Sequence, residues 1–393
     1  MISVQEAKDL IRLHSKQLPA QVLSLKDATG LALAEDIYAP QDFPPFMQSS
    51  MDGYAFKFYD WKGEPLAIVG EVQAGSAKEI ATSNKQAVRI FTGAPVPAGL
   101  DTVVMQEKAV VENRQLHVLD DALVKGSNVR QIGSEIPRRA LALEMGTTLT
   151  AGAIGFIAGL GISEVIAVAK PSVAIIVTGK ELQKPGEQLQ YGQVYESNSY
   201  ALTAALQAIG ITGVSVQWVD DDLTSITSVI ETAIGTADLV LITGGVSVGD
   251  YDFVSQALEH AQVEQVFHKV KQRPGKPLLF AKKDTTIVFG LPGNPSSVLT
   301  CFYEYVLLAI QLMMGLSKPF LKTVHLPLAQ DYNKNTQLRH FLKGMIVNNE
   351  VLPLDAQESY KMRSFAMADC LVCLVEAKTT YKKGDVVEVH ILP

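Results

Sequence analysis

Between residues 169 and 318, four apolar runs of strand length, VAIIVTG, VSVQWV, DLVLITGG and TTIVFGLPG, alternate with helical patterns such as SYALTAALQAIG and PSSVLTCFYEYVLLAIQLMMG. This alternation restricts the fold more than any other feature of the chain. Strands apolar on consecutive residues must be covered on both faces, and parallel strands need crossover helices. The segment therefore predicts a three-layer α/β parallel-sheet domain.

The flanks have other textures. Val4, Ala7, Leu10, Ile11 and His14 recur at helical spacing. From 46 to 134, β-rich runs (AVRIF, TVVMQE, QLHVL) alternate with turn clusters, and a helical pattern returns from 135 to 168. The uncharged stretch from Thr147 to Ser163 is short for a membrane span and predicts a buried helix leading into a strand. The tail ends in alternating CLVCLVE and GDVVEVHIL. The expectation is an α/β multidomain chain in four parts: a split helical/strand domain (1–45 plus 135–168), a β-rich insertion (46–134), the α/β domain (169–318) and a small C-terminal β-barrel (319–393).

A net charge of −7 gives no general attraction to nucleic acid or to an anionic membrane, so an anionic ligand must be held by local donors. Three cysteines in 393 residues indicate a reducing compartment. The CxxC at Cys370 and Cys373 has no second pair, and its strand-like surroundings read as core. The N-terminus MISVQEAKDLIRLHS carries charges where a signal peptide needs an apolar run. A cytoplasmic protein is expected.

Ligands of open α/β sheets bind beyond the carboxyl ends of the strands. Three turns fall there. TGGVSVGD places Gly244, Gly245 and Ser247 after one strand; GLPGNPSS places Pro292, Gly293 and Asn294 after another; TGKEL follows a third. Glycine turns and helix N-termini present N–H donors to phosphate. The same edge gathers Glu181, Asp221, Asp222, Asp250 and Asp252, a mixture suited to Mg²⁺, which takes oxygen ligands from protein and phosphate together. An adjacent acidic pair such as Asp221–Asp222 also suits a helix cap. RPGKP adds Arg273 and Lys276 on a stiff turn, as phosphate or oxyanion contacts. By spacing alone, Asp52 in SSMDGYA and Thr92 in FTGAPVP read as ordinary turn residues.

The motifs MDGYA, RIFTGAPVP–DTVVMQE, NVRQIG, TGKELQKPG, YESNSY, TGGVSVGDYD, RPGKP and GLPGNPSS occur in that order. Together they resemble the molybdopterin molybdenumtransferases, bacterial MoeA and the E domain of gephyrin. The resemblance implies a molybdopterin-binding type of α/β domain and a homodimer whose cleft lies between the sheet domain of one subunit and the split domain and insertion of the other. It implies a reaction in which adenylylated molybdopterin and molybdate give molybdenum cofactor and AMP with Mg²⁺. It also makes the molybdopterin adenylyltransferase a candidate partner.

Carried over by motif, Asp52, Thr92, Glu181 and Lys276 take catalytic roles, and Glu181, Asp221 and Asp252 hold the metal. Gly244, Gly245, Ser247, Pro292, Gly293, Asn294, Asp221 and Arg273 bind substrate, and Lys343 and Ser359 match oxyanion-binding positions. The chain departs from the family pattern at Lys180, Ser134, Lys343 and Glu358, where an acid, another acid, an arginine and a glycine are usual. A catalytically weakened paralogue or dimeric scaffold that binds the pterin nucleotide without turnover is the alternative reading.

Overall fold

The computed structural model describes residues 1–76, 79–245 and 253–393. The chain divides into two compact units, one of residues 1–34, 146–150 and 166–393, the other of residues 35–145 and 151–165. This partition differs from the four-part reading. The N-terminal helix belongs with the α/β and C-terminal parts, because Val4, Ala7 and Ile11 are buried in the same apolar cluster as Ile175, Leu241 and Phe289.

In the larger unit, strands Val214–Val219, Val173–Thr178, Leu239–Thr243 and Thr286–Leu291 lie side by side and parallel. Leu279–Lys283 and Glu264–His268 extend the sheet antiparallel, so it is mixed rather than wholly parallel. Successive side chains of a strand face opposite ways. Val173, Ile175 and Val177 accordingly enter a cluster with helices Val4–His14 and Asn198–Ala208 and the long helix from Pro295 to Met313. Ala174 and Ile176 enter another with helices Leu223–Thr236 and Phe253–His260. The VSVQWV strand is at the edge and half exposed, so coverage on both faces holds only for the inner strands.

The N-terminal helix starts with a capping box. Ser3 Oγ accepts the Glu6 N–H at 3.2 Å while Glu6 Oε2 accepts the Ser3 N–H at 2.7 Å, which satisfies two otherwise orphaned donors. Pro295–Met313 is long and apolar enough to cross a membrane, but 83% of that window is buried in this unit, as befits a core helix. Residues Phe302–Val306 form a π-helical turn within it.

The C-terminal residues build a sheet of strands Arg339–Val347, Cys370–Leu374, Val386–Ile391 and Thr323–Pro327, all antiparallel, with Glu350–Pro353 paired to the first. An isolated bridge from Leu328 to Val351 joins its outer parts. The short strand Gln272–Arg273 pairs in parallel with Arg339 and His340, stitching the α/β domain to this sheet.

In the smaller unit, the order of the six-stranded sheet is Thr102–Met105, Gly53–Phe56, Gln86–Ile90, Leu66–Val72, Gln115–Val118, Ala109–Glu112. The buried helix expected between Thr147 and Ser163 is instead a mostly uncovered one. Ala151–Gly159 forms it, yet of its residues only Ile157 is fully buried.

Candidate functional site

A cavity of about 1140 Å³ opens along the carboxyl edge of the sheet. All four parallel strands supply its wall. Thr178 ends the first and Gly179 follows it, Asp221 follows the second, Gly244 and Gly245 the third, and Pro292, Gly293 and Asn294 the fourth. Register explains the convergence, since parallel pairing aligns Thr178 with Val219 and Thr243 with Leu291. Glu181, Arg273, Lys276 and Ser359 complete the predicted residues on its wall. Ser247, Asp250 and Asp252 lie outside the described residues.

Gly244 is required by its conformation. Its φ is +87°, and a Cβ there would sit 2.5 Å from the Thr178 carbonyl oxygen. Gly244→Ala is therefore expected to lose about 1–2 kcal/mol from the left-handed backbone alone, read as a drop of several degrees in the melting midpoint. An unchanged midpoint would show that the turn relaxes freely.

The acidic pair divides its work. Asp222 caps the Leu223–Thr236 helix by accepting the Ser225 N–H at 2.9 Å, and those contacts with Ser225 hold its carboxyl below the ordinary value. Asp221 faces the cavity instead, and its Oδ2 accepts the Lys180 N–H at 3.2 Å, tying two strand-end loops together. Asp221 and Glu181 both line the cavity. Such hard donors beside anion-binding glycine turns fit a divalent cation of the Mg²⁺ type.

Also on the cavity wall, Asn294 Nδ2 donates to Ser359 Oγ at 2.8 Å, and the Ser359 carbonyl accepts the Ser296 N–H at 3.0 Å. The tail loop is thereby fixed to the N-terminus of the core helix, where backbone donors favour negative charge. Glu358, also on the wall, accepts from Lys361 Nζ at 2.8 Å, and this contact lowers its pKa.

Lys343 behaves differently from the oxyanion contact expected. It is buried on the Arg339–Val347 strand and does not line the cavity. Its Nζ donates to the carbonyls of Ala356 (2.9 Å) and Lys361 (3.2 Å), and burial pushes its pKa down to about 8. Its role in the structure is to shape the loop that carries Glu358 and Ser359.

Asp52 and Thr92 lie in the smaller unit. They are 40 residues apart in sequence, yet Asp52 Oδ1 accepts both the N–H and the Oγ1 hydroxyl of Thr92, each at 2.8 Å. These bonds hold the Asp52 carboxyl below its ordinary pKa.

Asn198, Gln357 and Tyr360 on the cavity wall were not singled out in the sequence. Asn198 belongs to YESNSY, where the motif is the signal. Its Nδ2 donates to the Gly293 carbonyl at 2.9 Å, while its buried Oδ1 has no partner among the described residues. A ligand that donates a hydrogen there would remove a penalty of roughly 1–3 kcal/mol.

Among the described residues, one grouping has metal-type donors, namely Glu304, Cys373 and His390, all buried. Lys8 Nζ stands 2.8 Å from Glu304, and both ring nitrogens of His390 face carboxylates. Protons and an ammonium already balance these acids, and the grouping is separate from the residues lining the cavity.

Comparison with known proteins matches residues 2–161 to the MoeA N-terminal region (domain I and II), residues 174–312 to the "Probable molybdopterin binding domain" and residues 325–392 to the MoeA C-terminal region (domain IV). Proteins named molybdopterin molybdenumtransferase in Staphylococcus aureus and Staphylococcus epidermidis are each 31% identical over 398 residues, covering 99% of this chain and 95% of the relative. A solved molybdopterin biosynthesis MoeA protein from Pyrococcus horikoshii superposes with a TM-score of 0.86 at 26% identity, and all of both chains is covered. Another solved structure, of a molybdopterin biosynthesis moea protein from Pyrococcus horikosii, gives 0.81 at 28% identity, covering 100% of this chain and 99% of that one. The family regions together cover most of the sequence, and the chain belongs to the MoeA family, the molybdopterin molybdenumtransferases of molybdenum cofactor biosynthesis.

Proposed function

We propose that this chain inserts molybdate into adenylylated molybdopterin with Mg²⁺-dependent release of AMP. The observation that carries the reading is the convergence in one cavity of glycine turns, two carboxylates and two cations: Gly244–Gly245, Pro292–Asn294, Glu181, Asp221, Arg273 and Lys276.

A pyrophosphate asks for these groups. The turns offer backbone N–H donors to phosphate oxygens. Arg273 and Lys276 offset negative charge, which accumulates on the leaving phosphate as the anhydride P–O bond breaks and AMP departs. Glu181 and Asp221 would hold the divalent ion, which neutralises charge between the phosphates when bound. Ser359 would contact the oxyanion, and Asn198 Oδ1 would accept a ring or amine hydrogen from the pterin. Asp52 and Thr92 are proposed to act as a pair, joined by the two bonds between them. No thiolate or imidazole of the chain is needed for the metal transferred, because the dithiolene sulfurs of the pterin ligate it.

The test is AMP release from adenylylated molybdopterin with molybdate and Mg²⁺. Release well above the protein-free rate is expected. Intact pterin binding with no AMP would leave a scaffold or a paralogue without turnover.

The chain is proposed to act as a homodimer in the cytoplasm, with a molybdopterin adenylyltransferase supplying the substrate. The Ala151–Gly159 helix has no charged residue and leaves most of its length uncovered within its own unit, a surface suited to a second copy. All three cysteines are free and buried, which fits a reducing compartment. Sedimentation should give a dimer, and Ile154→Asp should shift it toward monomer. A monomeric wild type at micromolar concentration would remove the dimer from the reading.

A further inference from the structure

A buried hydrogen-bond chain starts at Gln272, which borders the cavity, and holds the adjoining turn Arg273–Pro277. The Gln272 side chain is completely buried. Its Nε2 donates to the carbonyls of Pro274 at 3.0 Å and Gly275 at 3.2 Å, and stands 3.6 Å from Cys301 Sγ. Its Oε1 accepts the hydroxyl of Tyr305, which is itself buried on the π-helical turn of the core helix. Cys301 Sγ reaches the Gly275 carbonyl at 3.7 Å.

The amide has one good orientation. Two carbonyls face Nε2, and a flip would set Oε1 against both of them, so the network assigns the nitrogen to that side. The Tyr305 hydroxyl then donates to the remaining acceptor. From beneath, the turn cannot settle further. Gly275 has φ +83°, and a Cβ there would lie 2.5 Å from Cys301 Sγ and 2.9 Å from Gln272 Nε2.

We infer that Gln272, oriented by Tyr305, is a positioning residue that sets where Arg273 and Lys276 present their charges to the bound phosphates and oxyanion; this rests on the function proposed above. Gln272 is fully buried and is assigned no contact with substrate. It acts through two backbone carbonyls of the turn that carries both cations. Placement of such groups governs binding and rate steeply, so a loosened turn weakens the site without removing a charge.

Full-length wild type, Gln272→Glu and Tyr305→Phe would be titrated with inorganic pyrophosphate and Mg²⁺ from pH 6 to pH 8.5. The KM for molybdate would be measured in parallel. Ionised, the introduced carboxyl group would turn an anion toward the two carbonyls. Protonated, it can donate to them as the amide does. Its titratable neighbours stay fixed over this range. Burial pushes both the Cys301 thiol and the Tyr305 phenol up, and Lys8 and His390 keep Glu304 charged although burial opposes it.

Gln272→Glu is expected to bind pyrophosphate about tenfold more weakly than wild type at pH 8.5, an effect of ~1.4 kcal/mol. The deficit relative to wild type should shrink toward pH 6. Tyr305→Phe should weaken binding a few-fold at every pH. In both, the molybdate KM should rise more than kcat falls, with circular dichroism unchanged. Folded variants that bind within twofold of wild type, or a deficit in Gln272→Glu that ignores pH, would overturn the inference. If Gln272→Glu does not fold, Tyr305→Phe decides alone by the twofold criterion. A wild type that binds pyrophosphate but releases no AMP would sink the proposed function and leave the positioning role standing on the binding data. A wild type that binds no pyrophosphate would sink both.

Discussion

Glu304→Gln is expected to destabilise the larger unit by about 3–5 kcal/mol, the usual cost of removing one partner from a buried ion pair. Glu304 is completely buried, with Lys8 Nζ at 2.8 Å and His390 Nδ1 at 2.6 Å. The substitution leaves two buried cations facing a neutral amide. Trp61 lies in the smaller unit and Trp218 in the larger, so guanidinium unfolding in a Trp61→Phe background reports the larger unit alone. A loss below about 1 kcal/mol would show that water or relaxation compensates for the carboxylate.

The same cluster sets a pH dependence. Burial alone would lower the pKa of His390, but the Glu304 carboxylate, helped by hydrogen bonds to Cys373, Glu304 and Glu388, raises it from 6.5 to about 11. A raised pKa stabilises fully below the unfolded value, and the contribution is lost as pH rises from 6.5 through 11. Glu388, lowered from 4.5 to about 2 first by its hydrogen bond with His390, contributes above 4.5 and loses its contribution as pH falls through 2. Lys343 works against the alkaline loss, because its lowered pKa makes stability rise between about 8 and 10.5. The clearest window for His390 is therefore pH 6.5 to 8, where stability should fall with pH in wild type and stay flatter in Glu304→Gln.

Lys276→Ala and Glu181→Gln are each expected to cut AMP release about 10²–10³-fold, the scale for removing one preorganised charge-stabilising group. The two should differ in detail. With Glu181 proposed to hold the divalent ion, raising Mg²⁺ should recover part of the rate of Glu181→Gln. Lys276→Ala removes a fixed charge, and Mg²⁺ should not restore it. Neither side chain belongs to the buried core, so the melting midpoint should move by no more than about 2 °C. Rates near wild type in both variants would mean that the chemistry lies elsewhere.

How much of this was legible in the sequence depended on how local each feature is. The four parallel strands were readable because continuous apolar runs admit few environments, and the residues ending them must then share an edge. Gly244, Asp221 and Asn294 followed from that rule. The antiparallel strands Glu264–His268 and Leu279–Lys283 were less legible, because lysines and a glutamate interrupt their apolar pattern. The helix after Thr150 looked buried because it is apolar, yet composition says nothing about which surface covers it. Lys343 was placed by resemblance at an anion, but in a strand buried on both faces its Nζ donates to two carbonyls. The cluster of Lys8, Glu304, Cys373, Glu388 and His390 had no sequence signal at all. Its members come from an N-terminal helix, a core helix and two distant strands, and only the packed structure puts them together.

The parallel pairing of Gln272 and Arg273 with Arg339 and His340 makes the tail a structural co-owner of the cation-bearing turn. An incoming C-terminal sheet would have to reproduce the register that seats the turn. Chimaeras spliced near residue 320 should inherit that constraint and depend on edge geometry at least as much as on the charges the new tail carries.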